Sequence, residues 1–375
     1  MAQIVNPSEA PLRLSRERIW LYGATLACVG LIPLLVIPHY FVRTAHDADW
    51  GNFWAAGATV GTHTLIDPSL HSAWQIAHHM RVQSFAYPPA VAWLYAPFSH
   101  LSPTPSFFID QALMVAVSFL AALLVARIYR FARWFAIAVV FAWAPLLYAI
   151  VVGQSTPVAL LLFLLAILAL TEERPVLAGL AAGALLFKPT DAIVLIVLLA
   201  LRGRWKALAI ASACGVFWYV ASVAATAGDW GWPIAYLHSI QSYYNADFAA
   251  NAIKSFSLPT VLMYAKVPQS VAMIAGVLLF LACSALLARA PMLEAASVTP
   301  LITLAISPHA WPYDVGLLIP SLCYVMRVAG EPWRTRIIGC AYIIGVLPLM
   351  GFDPLAVVVL GGVGLWFAHS LRGGR

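Results

Sequence analysis

The chain has 375 residues, of which 62% are hydrophobic and only 10% charged, with a net charge of +6. An average soluble domain carries about 25% charged residues, so these few charges cannot cover a soluble surface, and most of the surface must face lipid. Disordered, collagenous, coiled-coil and disulfide-stapled classes are excluded by the same numbers, and the basic residues, scattered singly at segment ends, mark membrane orientation rather than a nucleic-acid surface.

The first apolar run, 19–41, follows Arg13, Arg16 and Arg18. It has the length of a full span and exceeds the core of a cleaved signal peptide. The N-terminus is therefore expected in the cytoplasm, and the long polar stretch 42–86 outside. Further apolar runs lie near 87–101, 107–126, 134–152, 156–170, 176–201, 207–226, 268–290, 292–308, 313–328, 336–351 and 354–370. Arg202, Arg204, Lys206, Arg289, Arg327, Arg334, Arg336, Arg372 and Arg375 then fall on the cytoplasmic side. Arg43, Arg81, Lys254 and Lys266 fall outside. The run 87–101 admits two readings. As a span it sends Arg127, Arg130 and Arg133 outside. As a re-entrant segment it keeps them inside, and 176–201 must then split near Lys188-Pro189 into two half-spans. Charge favours the second. Both readings predict about twelve crossings. The expected fold is a single all-α integral membrane domain over 1–375, with outer loops at 42–86 and 227–267 and a cytoplasmic C-terminus. Cys28, Cys214, Cys283, Cys323 and Cys340 all lie in apolar stretches and read as small buried hydrophobes.

Ionisable side chains are scarce in such a chain, so each is informative. Asp47 and Asp49 follow the first span, and Asp49 opens Asp-Trp-Gly-Asn-Phe-Trp-Ala-Ala-Gly57. A carboxylate there suits a general base at the membrane surface or the N-cap of an interfacial helix. Tyr87 precedes Pro88-Pro89, and Gly153-Gln154 interrupts two apolar runs with one polar side chain. Lys188 interrupts a third, next to Pro189 and three residues before Asp191. A lysine in that position needs a carboxylate, water or an anionic ligand, and phosphate is a natural one. Ser307-Pro-His309-Ala-Trp-Pro-Tyr313-Asp314 packs a histidine, two aromatics and a carboxylate between two spans. The ten histidines show no metal-site spacing, and no phosphate loop, dinucleotide fingerprint or nucleophile elbow is present. No metal or cofactor is expected.

Taken in order, Asp49 to Gly57, Phe85-Ala-Tyr-Pro-Pro89, Pro97, Gly153-Gln154-Ser-Thr, Arg174-Pro-Val-Leu-Ala-Gly179, Lys188-Pro189, Arg204-Trp205 and Ser307-Pro-His309 to Tyr313-Asp314 resemble glycosyltransferase family 87. These are integral-membrane GT-C enzymes related to polyprenyl-phosphate-mannose-dependent alpha-mannosyltransferases. Each motif is short; their joint order, over about residues 45–325, carries the likeness. The resemblance implies a GT-C helical bundle in the bacterial inner membrane, with its site on the periplasmic face. It implies a polyprenyl-phosphate sugar donor, a lipid or glycan acceptor, and inverting transfer of a hexose such as mannose. It places Asp49 at the acidic first-loop position of the base, with Asp47 as the alternative. Lys188 and His309 are expected at the donor phosphate, with Lys254 behind them. Trp54, Tyr87, Gln154, Tyr313 and Asp314 are expected to contact sugar or acceptor. The competing class is a transporter or lipid flippase without chemistry, for which Lys188 is the main argument.

Overall fold

The computed structural model describes residues 48–238, 240–241, 256–329, 333–347 and 355–373. These residues form helices and connecting turns, with no strand among them. Asp47 and Lys254 lie outside the described residues, as does most of 239–255.

Two short helices, α1 (Trp50–Thr59) and α2 (Pro68–Ala77), carry the first loop. Asp67 caps α2: its carboxylate accepts from the Ser69 and Leu70 amides, and Pro68 opens the helix, where its missing N–H costs nothing. A turn at Pro89–Val91 leads into α3 (Ala92–Ser99). Eight residues rise only about 12 Å, so the run 87–101 is not a span, and the re-entrant reading is the one the geometry supports. Helix α4 (Pro103–Tyr129) follows, and then the pair α5 (Arg133–Phe141) and α6 (Ala144–Val152), bent by 64°. The bend falls at Ala142-Trp143, just before Pro145, which cannot continue a preceding helix.

Helix α7 (Thr156–Thr171) runs through the centre of the bundle, and its Leu160, Phe163, Leu164 and Ile167 are fully buried. The run 176–201 is split. Helix α8 (Pro175–Ala184) ends in a tight turn at Leu185–Phe187, and α9 (Pro189–Leu201) starts after Lys188. Pro189 pushes Lys188 out of the helical region, to φ −133 and ψ 84. Helix α10 (Trp205–Ala225) packs on α8 through glycines: a Cβ on Gly183 would stand 2.4 Å from the Cys214 Cβ.

Beyond the second loop come α11 (Leu258–Tyr264), α12 (Gln269–Leu287) and α13 (Met292–Ile306). A turn at Pro312–Leu318 leads into α14 (Ile319–Val328), so the expected span 313–328 contains only a ten-residue helix. Helices α15 (Trp333–Val346) and α16 (Leu355–Gly373) complete the bundle. Among the described residues, three helices have the length and apolarity to cross a membrane alone: α4, α10 and α12. The bent pair makes a fourth. The expected first span, 19–41, lies outside the described residues, and the expected twelve crossings are not confirmed by that measure, since prolines break several of the described apolar runs into helices shorter than a span.

A set of arginines and glutamates gathers at one end. Arg127 pairs with Glu172 at 2.6 Å, Arg174 with Glu172 at 3.0 Å, and Arg204 with Glu173 at 3.6 Å. Arg327 Nη1 donates to the Ile128 carbonyl, and Arg202 to that of Ala290. Arg174 and Arg204, at the two feet of the α8–α9 hairpin, thus share this end, and Lys188 is the hairpin's tip at the other.

Candidate functional site

The site is assembled by four breaks in the helical pattern. Gly153 ends α6 at φ +74, and a Cβ there would meet the Trp50 Cβ at 2.8 Å. Only glycine suits both the left-handed backbone and this close approach. The contact sets Gln154 beside Asp49, the neighbour of Trp50. Gln154 Nε2 donates to Asp49 Oδ2 at 2.8 Å, and Gln83 Nε2 donates to Asp49 Oδ1 at 2.9 Å. The half-buried carboxylate thus has an amide donor on each oxygen. Its place before α1 matches a cap, yet its side chain caps nothing; it is turned to the glutamines instead.

Gln154 Oε1 accepts from the Tyr87 hydroxyl at 3.0 Å, and that hydroxyl also meets Ser155 Oγ at 3.1 Å. Burial, opposed by the nearby Lys188 charge, pushes the Tyr87 hydroxyl up to about 12, so it stays protonated and donates. The Tyr87 ring lies parallel to that of Phe187, with centroids 6.4 Å apart, next to Lys188.

Gly316 brings in the last break. A Cβ on it would meet Thr156 Cγ2 at 2.9 Å, so the turn at Pro312–Leu318 lies flat on the start of α7. Asp314 Oδ1 then stands 2.5 Å from Lys188 Nζ, and Asp191 Oδ2 at 3.6 Å. All three side chains are largely buried. The partner expected from sequence, Asp191, is the more distant one. Asp314 Oδ2 accepts from the Trp311 amide at 2.8 Å, and the Trp311 indole donates to His309 Nε2 at 2.9 Å. The acceptor role of Nε2 puts the ring proton on Nδ1. Burial, only partly offset by the Asp314 charge, holds His309 down to about 4, so the imidazole is neutral near pH 7. Tyr313 lies against Trp311 and Tyr148.

The structure therefore gathers Asp49, Gln154 and Tyr87 in one hydrogen-bonded group and Lys188, Asp314, Trp311 and His309 in another, with the Tyr87 ring parallel to that of Phe187, the neighbour of Lys188, and with Tyr313 beside Trp311. Trp54 is not brought in: its indole donates to the Leu101 carbonyl at 3.1 Å and its ring packs near Trp74. The second loop reaches the same end, where the Tyr236 hydroxyl donates to the Ala86 carbonyl at 3.2 Å. Gln83 and Ser155 were missed from sequence. Only the placement of Ser155 directly after Gln154 could have pointed to it.

The model of glycosyltransferase family 87 matches residues 85–308, more than half of the chain. The match takes in Tyr87, Gln154 and Lys188, and ends just before His309. No curated protein and no solved structure matches the chain. Extensive apolar helices, a set of arginines and glutamates gathered at one end and this family match converge on one assignment: the chain is a membrane protein that belongs to glycosyltransferase family 87.

Proposed function

We propose that this glycosyltransferase transfers a hexose, mannose being the expected one, from a polyprenyl-phosphate donor to a hydroxyl of a lipid or glycan acceptor. The proposed setting is a GT-C bundle in the bacterial inner membrane with the site on its periplasmic face. Asp49 is the proposed base. It takes the proton of the acceptor hydroxyl as that oxygen forms a bond to the anomeric carbon. The bond from the anomeric carbon to the phosphate oxygen breaks, and polyprenyl phosphate leaves with the electron pair. One displacement inverts the anomeric centre.

The observation that supports this most is the pair of amide donors on Asp49. They fix the carboxylate plane and leave lone pairs for an incoming hydroxyl, since an ionised carboxylate has about four acceptor sites. The Lys188 ammonium and the neutral His309 imidazole are the proposed groups facing the leaving phosphate, whose negative charge needs hydrogen-bonding groups held ready for it. Lys254 is a further candidate for that role, and Asp47 for that of the base. Tyr87 and Tyr313 offer aromatic faces of the kind that pack on sugars, Gln154 and Asp314 offer polar contacts, and the sugar contact expected of Trp54 would need its ring to leave Trp74 and the Leu101 carbonyl.

Asp49→Asn keeps the shape and removes the base. With polyprenyl-phosphate-mannose and a bacterial membrane-lipid acceptor fraction, its turnover should drop about 100-fold or more, while donor binding and folding persist. Wild-type turnover in Asp49→Asn beside an inactive Asp47→Asn would move the base to Asp47.

A further inference from the structure

Beneath Asp49 lies a buried cluster that the proposed chemistry does not use. His71, Asn52 and Gln75 are 2%, 7% and 0% exposed. Asn52 Nδ2 donates to the Ser84 carbonyl at 2.9 Å, which turns its Oδ1 inward. Gln75 Oε1 accepts from the Gln83 amide at 2.9 Å, which turns its Nε2 inward. That Nε2 donates to Asn52 Oδ1 at 3.3 Å, and His71 Nε2 stands 3.1 Å from the same oxygen. Gln75 Nε2 also lies 3.2 Å from His71 Nε2; with the proton on that histidine Nε2 this contact is not a hydrogen bond, and His71 donates to Asn52. The buried atom without a partner, Nδ1, is then an acceptor rather than a more costly orphaned donor. The cluster holds both backbone groups that flank the Gln83 side chain: the Gln83 amide through Gln75 and the Ser84 carbonyl through Asn52. Gln83 Nε2 in turn bonds Asp49 Oδ1. Asn52 and Asp49 are three residues apart at the start of α1, so the same cluster ties the helix that follows the carboxylate to the segment bearing its amide donor.

We propose that His71, Asn52 and Gln75 are positioning residues that act through Gln83 to orient the Asp49 carboxylate toward the acceptor hydroxyl. The inference rests on Asp49 as the base. A purely structural staple predicts less folded protein but normal turnover per folded molecule. Positioning predicts a loss in turnover that depends on Asp49, because a displacement of about 1 Å in a reacting group costs up to about 100-fold.

The test uses the full-length purified protein with polyprenyl-phosphate-mannose and a bacterial membrane-lipid acceptor fraction, each variant normalised to folded protein. His71→Leu and Gln83→Leu should each lower kcat roughly 10- to 100-fold and leave the KM for donor unchanged. His71→Gln, whose amide can restore a donor near Nε2, should recover most of that loss. In an Asp49→Asn background neither leucine variant should reduce turnover further. Gln83→Leu carries the test should His71→Leu fail to fold, since Gln83 is only half-buried. Wild-type kcat in Gln83→Leu, or an undiminished loss on top of Asp49→Asn, overturns the positioning role and leaves Asp49 as base. Wild-type kcat in Asp49→Asn removes the base itself and the positioning role with it.

Discussion

A lysine ammonium beside two carboxylates gives Lys188, Asp191 and Asp314 an arithmetic of their own. An ammonium has three donors, and Asp314 at 2.5 Å takes one outright. Asp191 at 3.6 Å is within ion-pair reach but beyond a normal hydrogen bond. A phosphate can use what remains, and Asp314 is the group that competes with it. Lys188→Ala should leave Asp314 buried without its cation, a costly state, and weaken donor binding by roughly 1.5–3 kcal/mol. Lys188→Ala with Asp314→Asn should recover thermal stability but not donor affinity, as read by binding of polyprenyl-phosphate-mannose. Wild-type affinity in the double variant would end the phosphate role of Lys188. The sequence made each of Asp49, Tyr87, Gln154, Lys188, His309 and Asp314 noticeable on its own, because a polar side chain in an apolar run needs a reason. Their pairing was not legible. Asp314 is 126 residues from Lys188, whereas Asp191 is three away and looked like the natural partner. Gln83, His71 and Asn52 carry no such signal, because polar residues in a polar loop ordinarily face water, and only the fold buries His71 and Asn52.

At the scale of elements, α1 and α3 meet backbone to backbone. A Cβ on Gly57 would stand 2.5 Å from the Tyr95 carbonyl oxygen, and Phe53 stacks on Tyr95 at 4.6 Å. Because α1 begins directly after Asp49, this contact also fixes where the carboxylate starts. Gly57→Ala should therefore cost about 1–3 kcal/mol of stability, the usual range for overpacking, and lower turnover as well. Gly361→Ala in α16, where nothing lies within 4 Å, is the control and should be neutral. Equal melting temperatures for the two variants in detergent would show that α1 can move freely away from α3. The break at Lys188-Pro189 was visible in sequence, because proline restricts its predecessor. The bend before Pro145 rests on the same rule, but no polar side chain marks it in the run 134–152, so the sequence does not tell a kinked span from a pair bent by 64°.

For the whole molecule, the paired charges at the feet of the α8–α9 hairpin and the polar groups from Asp49 to His309 occupy opposite ends. The proposed orientation puts the second end in the periplasm. In a cysteine-free background, His63→Cys should react with a membrane-impermeant maleimide in intact spheroplasts, and Glu173→Cys only after lysis. The reverse pattern would turn the molecule over. The class and the end-to-end sorting of charge were legible because composition and basic residues answer directly to lipid. The number of crossings is not confirmed, because among the described residues apolar run length overstates helix length wherever a proline intervenes.

The short hairpin also sets a depth. Helix α9 has 13 residues and so rises about 20 Å, whereas the hydrocarbon layer is about 30 Å thick. Measured from the charged feet, its tip stops roughly 10 Å short of the opposite surface. On the proposed orientation, with the charged feet at the inner edge of that layer, the Lys188 ammonium is held below the outer headgroups. The proposed lipid-linked donor would then bring its phosphate below the headgroups to reach Lys188, while its isoprenoid tail stays among the acyl chains. Each methylene kept there avoids a hydration penalty of about 0.8 kcal/mol, so a long tail poses no obstacle to reaching the reaction centre.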